Sequence, residues 1–218
     1  MTEEEWLADT GLEKKVQHVS KQKHTRKLRL FSCGCCRQLA PWIKNDRLFQ
    51  AIERAEKFAD GELSESTLYK WYLEVIRLQR AVARPSYTAE IAVYYPISSV
   101  CMIPKYYGYT SVWRTLLHNN AIFGPEFSST ATALAYALFR DVFGNPFQPV
   151  VLEEVWQTST AVALAKQMYE SRDFSAMPIL ADAIQDAGYE NDVVLNHCRD
   201  EKQVHVRGCW VVDLVLGK

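Results

Sequence analysis

The sequence predicts an all-α protein, a single multi-helix globular domain over residues 1–218, and three observations carry that expectation. Apolar residues recur at three- and four-residue steps along most of the chain, which places them on one face of a helix. These periodic stretches open on Ser, Thr, Asn or Asp and close on Gly or Pro, the start and stop chemistry of helices. The breaks between them are short, as in helices packed around one core. About eight to ten helices would account for the chain.

Taken in order, Thr2 and Glu5 fit a capping box, so a short helix runs through Trp6 and Leu7. From His24 to Trp42, the residues Leu28, Phe31, Cys35, Leu39 and Trp42 form one apolar stripe, limited by Pro41. Asn45 or Asp46 caps the next helix, with Leu48, Ile52, Ala55 and Ala59 inward and a stop at Asp60-Gly61. Ser64-Glu65 opens a helix through Leu68, Tyr72, Val75, Ile76 and Gln79 to Arg84-Pro85. Residues 94–113 contain Pro96, Pro104 and Gly108 among many aromatics, and the proline spacing predicts an irregular, aromatic-rich insertion.

Helix returns at Ser128–Phe143, with Leu134, Leu138 and Val142 on one face, and Gly144-Asn145-Pro146 closes it. Thr158–Ser171 follows, with Val162, Ala165 and Tyr169 on one side. Met177–Ala187 carries Ile179, Leu180, Ala183 and Ile184 up to Gly188. Glu190-Asn191-Asp192 opens a turn through Val194 and Leu195 to His197, and Cys209–Leu216 is a buried short helix or strand.

Composition narrows the function classes. An apolar fraction of 48% and a charged fraction of 23% are those of an ordinary globular protein. The net charge of −1 gives no global attraction to nucleic acid or anionic membrane. No stretch is apolar enough for a bilayer span, and the acidic start Met1-Thr2-Glu3-Glu4-Glu5 is unlike an export signal. A cytoplasmic protein with reduced thiols is expected, and its 6 cysteines are too sparse for a disulfide scaffold.

Reduced, clustered thiols are available to a metal. Cys33 and Cys36 lie three apart on one helix, and His205 and Cys209 lie four apart with Gly208 allowing a turn between them. Cys33, Cys36, His205 and Cys209 would fill a closed tetrahedral site for structural zinc, with His197 or Cys198 as replacements for His205. Cysteine is also among the most buried residue types, so packing alone accounts for three thiols on one helix.

Other chemistry is less well supported. Cys209-Trp210 faintly resembles the Cys-aromatic pair of papain-like proteases, but no histidine lies downstream, and a thiolate needs an electropositive or imidazole neighbour. Paired carboxylates such as Glu153-Glu154 or Asp182 with Asp186 sit on polar faces or at helix starts. Gly-rich phosphate loops are absent. An enzyme is therefore the less favoured class.

Two surfaces suggest partners. Lys14, Lys15, Lys21, Lys23, Arg26, Lys27 and Arg29, then Arg37, form a basic segment over residues 14–37 that could contact nucleic-acid phosphates. Tyr94, Tyr95, Tyr106, Tyr107, Tyr109 and Trp113 offer large amphipathic contact area to a protein partner.

Several blocks are similar to a large paralogous family of uncharacterised bacterial proteins. They include Thr2–Leu7, the Cys33-Gly34-Cys35-Cys36 helix, Glu53–Gly61, Phe139-Arg140-Asp141-Val142-Phe143-Gly144-Asn145-Pro146-Phe147, Ile179–Ala183 and His205-Val206-Arg207-Gly208-Cys209-Trp210. The resemblance implies a shared fold and no activity, with the Cys-rich helix and the last block part of one design. Its weak stretch, roughly Tyr87 to Phe127, is then the part tuned to a partner. The expectation is a non-enzymatic interaction or adaptor module with a structural zinc site; the alternative is a nucleic-acid-associated protein using segment 14–37.

Overall fold

The computed structural model describes residues 1–22, 24–82, 92–102 and 125–218, with the backbone alone for 125–129. Among the described residues all regular structure is helical, as the periodicity requires. No helix among them is long and apolar enough to cross a membrane.

The chain divides into two compact units, Met1–Tyr136 and Ala137–Lys218. The first contains α1 (Glu3–Leu7), α2 (Leu12–Lys21), α3 (Thr25–Arg37), α4 (Asp46–Ala59), α5 (Glu65–Val82) and α6 (Tyr94–Cys101). Helix α7 (Pro125–Phe143) runs through the division, and α8 (Ser159–Ser171), α9 (Met177–Asp186), α10 (Asp192–Arg199) and α11 (Trp210–Leu216) complete the second unit.

In the first unit α3, α4, α5 and α6 pack on one another. The expected capping box at Thr2 is present, with Glu5 N donating to Thr2 Oγ1 at 3.2 Å and Thr2 N to Glu5 Oε2 at 2.9 Å. Leu28, Phe31, Cys35 and Leu39 are buried as their spacing demands. The helix that carries them ends at Arg37, however, and Ala40–Trp42 is a separate 3₁₀ turn opened by Pro41. Asn45 caps α4 through its side chain, which accepts from Arg47 N.

Two helices depart from expectation. Leu12, Val16 and Val19 form the buried stripe of α2, a helix hidden in the sequence by its surrounding lysines. Part of the supposedly irregular region 94–113 is helix α6. Pro96 falls in its first turn, where the backbone amides have no intrahelical partner to lose. The remainder, including Tyr106, Tyr107, Tyr109 and Trp113, lies outside the described residues.

The second unit surrounds a core of Ala161, Ala165, Met168, Leu180, Ile184, Val194, Leu195, Val211, Val212 and Val215. Thr158 caps α8 and Asn191 caps α10, each accepting backbone amide hydrogens. Ile179 points outward at 57% exposure, because Met177, Leu180, Ala181 and Ile184 take the inner face of α9. Cys209–Leu216, open between helix and strand in the sequence, contains helix α11.

Candidate metal centre

Four side chains of the second unit converge, and each is delivered by a different local device. Asp141 lies in the last turns of α7, beside the buried Leu138 and Val142, and is itself fully buried. His197 occupies the last turn of α10. His205 sits on the link between α10 and α11, fixed by Val206 N, which donates to Asp141 Oδ2 at 2.9 Å. Cys209 stands at the N-terminal boundary of α11, reached through a turn in which Gly208 has φ 97° and Cys209 N donates to Val206 O. One ligand atom from each of the four lies within 4.8 Å of all the others, so the group can hold a metal ion.

The contacts have a particular form. His197 presents Nε2 to Asp141 Oδ1 at 3.3 Å and to Cys209 Sγ at 3.2 Å. His205 presents Nδ1 to the same Oδ1 at 2.7 Å and to the same Sγ at 3.8 Å. A catalytic relay uses the two nitrogens of one imidazole on two partners. Here a single nitrogen of each ring addresses both partners, which is how lone pairs are arranged around a central cation. A tetrahedral zinc site with ordinary bond lengths has edges of about 3.3 Å between N or O donors and about 3.6 Å to sulfur. Two of the four contacts, at 3.3 and 3.8 Å, lie close to those edges, and the contacts at 3.2 Å to sulfur and 2.7 Å to oxygen are hydrogen bonds that a cation would lengthen.

Electrostatics favour the same occupant. Burial raises the Asp141 carboxyl, but hydrogen bonds from His205 and His197, with their charge, hold it below the ordinary carboxylate value. Burial pushes the Cys209 thiol well above its usual range and the Asp141 charge adds to this, against backbone hydrogen bonds from Val212 and Val211. Without a cation the thiol stays protonated and buried, which removes it as a nucleophile. A divalent ion would reverse that balance, since a coordinating thiol is deprotonated outright.

Trp210 sets a condition on binding. Its indole Nε1 donates to His197 Nδ1 at 3.3 Å. Indole nitrogen only donates, so this contact keeps the proton of neutral His197 on Nε2. A metal at Nε2 requires that proton to move to Nδ1 and Trp210 to turn aside. The competing arrangement is a proton-only network in which both imidazoles donate to Asp141.

Of the residues expected to hold zinc, His205 and Cys209 belong to this group. His197, expected as a replacement, stands beside His205 rather than in its place. Cys198 is buried and is not one of the four. Cys33 and Cys36 belong to the first unit, buried on α3 with Cys33 Sγ 3.9 Å from Ile52 O. Burial raises both of these thiols strongly. Asp141 was not foreseen. Its signal was an acid set between Leu138 and Val142, on the apolar face of a helix.

The partner surfaces are also placed in part. Tyr94 is buried and Tyr95 is 50% exposed. Much of the basic segment is engaged inside the first unit. Lys15 is buried, bonded to Ala8 O and set over the Tyr136 ring. Arg29 bonds Val100 O and Met102 O beneath Phe58. Arg26 pairs with Asp60, and Arg37 with Glu56. Lys14 and Lys21 are exposed, and Lys23 lies outside the described residues. Neither a family model nor a curated protein nor a solved structure matches the chain.

Proposed function

We propose that this protein is a non-enzymatic interaction module whose second unit is organised by a structural zinc ion on Asp141, His197, His205 and Cys209. The observation that carries the reading is the approach of one nitrogen from each histidine to both Asp141 Oδ1 and Cys209 Sγ. Thiolate, imidazole and carboxylate donors suit a borderline-soft ion, and four protein ligands leave no position for substrate or activated water. The burial of the group supports a structural role over a catalytic one. A partner surface that includes Tyr95 is consistent with an adaptor. The internal engagement of Lys15, Arg26, Arg29 and Arg37 speaks against segment 14–37 as a phosphate-binding face.

Elemental analysis of purified protein under reducing conditions tests the centre. One zinc per chain is expected, retained in Cys36→Ser and lost in Cys209→Ser. Loss of zinc in both variants would instead support the clasp between Cys33, Cys36, His205 and Cys209. A metal-free, fully folded wild type would leave the proton-only network.

A further inference from the structure

Helix α5 carries more apolar surface than the first unit covers. Its 18 residues include Trp71, Tyr72, Leu73, Ile76 and Leu78, yet its buried residues are Leu68 and Val75. A helix with one buried stripe normally carries polar residues around the rest. Tyr69, Leu73 and Ile76 follow at steps of four and three and so share one side. Tyr69 is 45% and Leu73 48% exposed, and Ile76 is half-buried. Tyr72 stacks on Tyr69 with ring centroids 5.8 Å apart, which restricts both rings.

Charge defines what would cover this stripe. Lys70 and Arg80 are exposed, and neither has an ion pair among the described residues. Arg77 and Arg47, with side chains 81% and 57% exposed, share the carboxylate of Glu74 at 3.4 and 3.7 Å. These four cations therefore stand against one carboxylate, and the helix's other acid, Glu65, lies at its first residue. A cavity of about 200 Å³ is lined by Arg47, Lys70, Trp71 and Glu74. It offers an incoming carboxylate two cations and an aromatic wall.

We propose that this side of α5 docks an acidic amphipathic helix of a protein partner. The partner's apolar row lies on Tyr69, Leu73 and Ile76, and its carboxylates face Lys70, Arg77 and Arg80. The apolar stripe supplies most of the affinity, and the charges select the partner. Glu65 and Glu74 interrupt the cations, which a helix of matched charge can answer and an anionic bilayer cannot. The proposal rests on the reading of the protein as an interaction module and not on the metal centre.

The test is fluorescence anisotropy of labelled peptides titrated with the full chain, with circular dichroism recorded for every variant. The probes are an amphipathic helix of leucine and glutamate about four turns long, the same peptide with lysine for glutamate, and a scrambled form without an apolar stripe. The acidic helix should bind tighter than about 100 μM, and the other two about tenfold or more weaker. Leu73→Asp, and separately Lys70→Glu with Arg80→Glu, should each weaken it about tenfold while the circular dichroism is unchanged. Equal binding of the lysine peptide would overturn the proposal. So would a wild type that binds no peptide, whether or not it associates with itself or with vesicles containing phosphatidylserine. Binding of the acidic helix that is lost in Tyr95→Ala and unchanged in Leu73→Asp would overturn docking on α5 and leave the interaction module standing.

Discussion

Gly144 shows how closely the residues around the centre are fitted. It has φ 59°, and a Cβ there would lie 3.1 Å from Trp210 Cγ. The left-handed backbone costs a side-chain-bearing residue about 1–2 kcal/mol. Gly144→Ala should therefore lower stability by about that amount and displace the ring that bonds His197. Chemical denaturation would measure the loss, and tryptophan fluorescence the displacement. A second expectation concerns protons. Cys209 is held protonated by burial, so zinc uptake must release its proton. Apparent zinc affinity should rise about tenfold per pH unit for each proton released, below the raised thiol pKa. Competition with a zinc-sensitive dye at pH 6, 7 and 8 would measure the slope, and a flat profile would exclude the thiolate ligand.

At the scale of elements, most helices were legible because their caps and apolar stripes are local. Asn45, one of two candidates for the cap of α4, holds that place, and Thr158 and Asn191, read as the start of a helix and of a turn, cap α8 and α10. Helix α2 was obscured because Lys15, a residue type read as solvated, is buried with its ammonium on a carbonyl and an aromatic face. Ile179 belongs to the apolar set of α9 yet is 57% exposed, because helical spacing fixes relative faces while tertiary packing chooses which face turns to the core. Between α3 and α4, Arg37 Nε and Nη2 donate to Glu56 Oε1 and Oε2 at 2.6 and 2.9 Å, with the Glu56 side chain 2% exposed. Glu56→Ala strands the guanidinium and should cost about 2–4 kcal/mol, below the roughly 3–5 kcal/mol for breaking a fully buried pair because the Arg37 side chain is 27% exposed. Urea denaturation would check this, and a change under about 0.5 kcal/mol would mark the pair as solvent-screened.

For the molecule as a whole, a bound structural ion contributes to folding free energy by mass action. Chelation should lower the melting temperature of the wild type, and added zinc should restore it. Cys209→Ser should melt at the chelated value and ignore the chelator. An adaptor held mainly by an apolar stripe should bind its partner with little dependence on moderate salt, whereas attachment to phosphates would weaken steeply.

The amino-acid order by itself made legible the helical class and the position of most helices, and it singled out His205 and Cys209, with His197 in reserve, among the four residues that cluster. Those features depend on neighbours within a few turns, where propensity, capping and periodicity act. Tertiary structure alone decided that Asp141 joins His197, His205 and Cys209, because the group needs the end of α7 beside the link between α10 and α11. No local pattern encodes an approach between residues more than fifty positions apart. Burial of the whole unit's apolar faces makes that approach, and the donors converge where the helix ends meet.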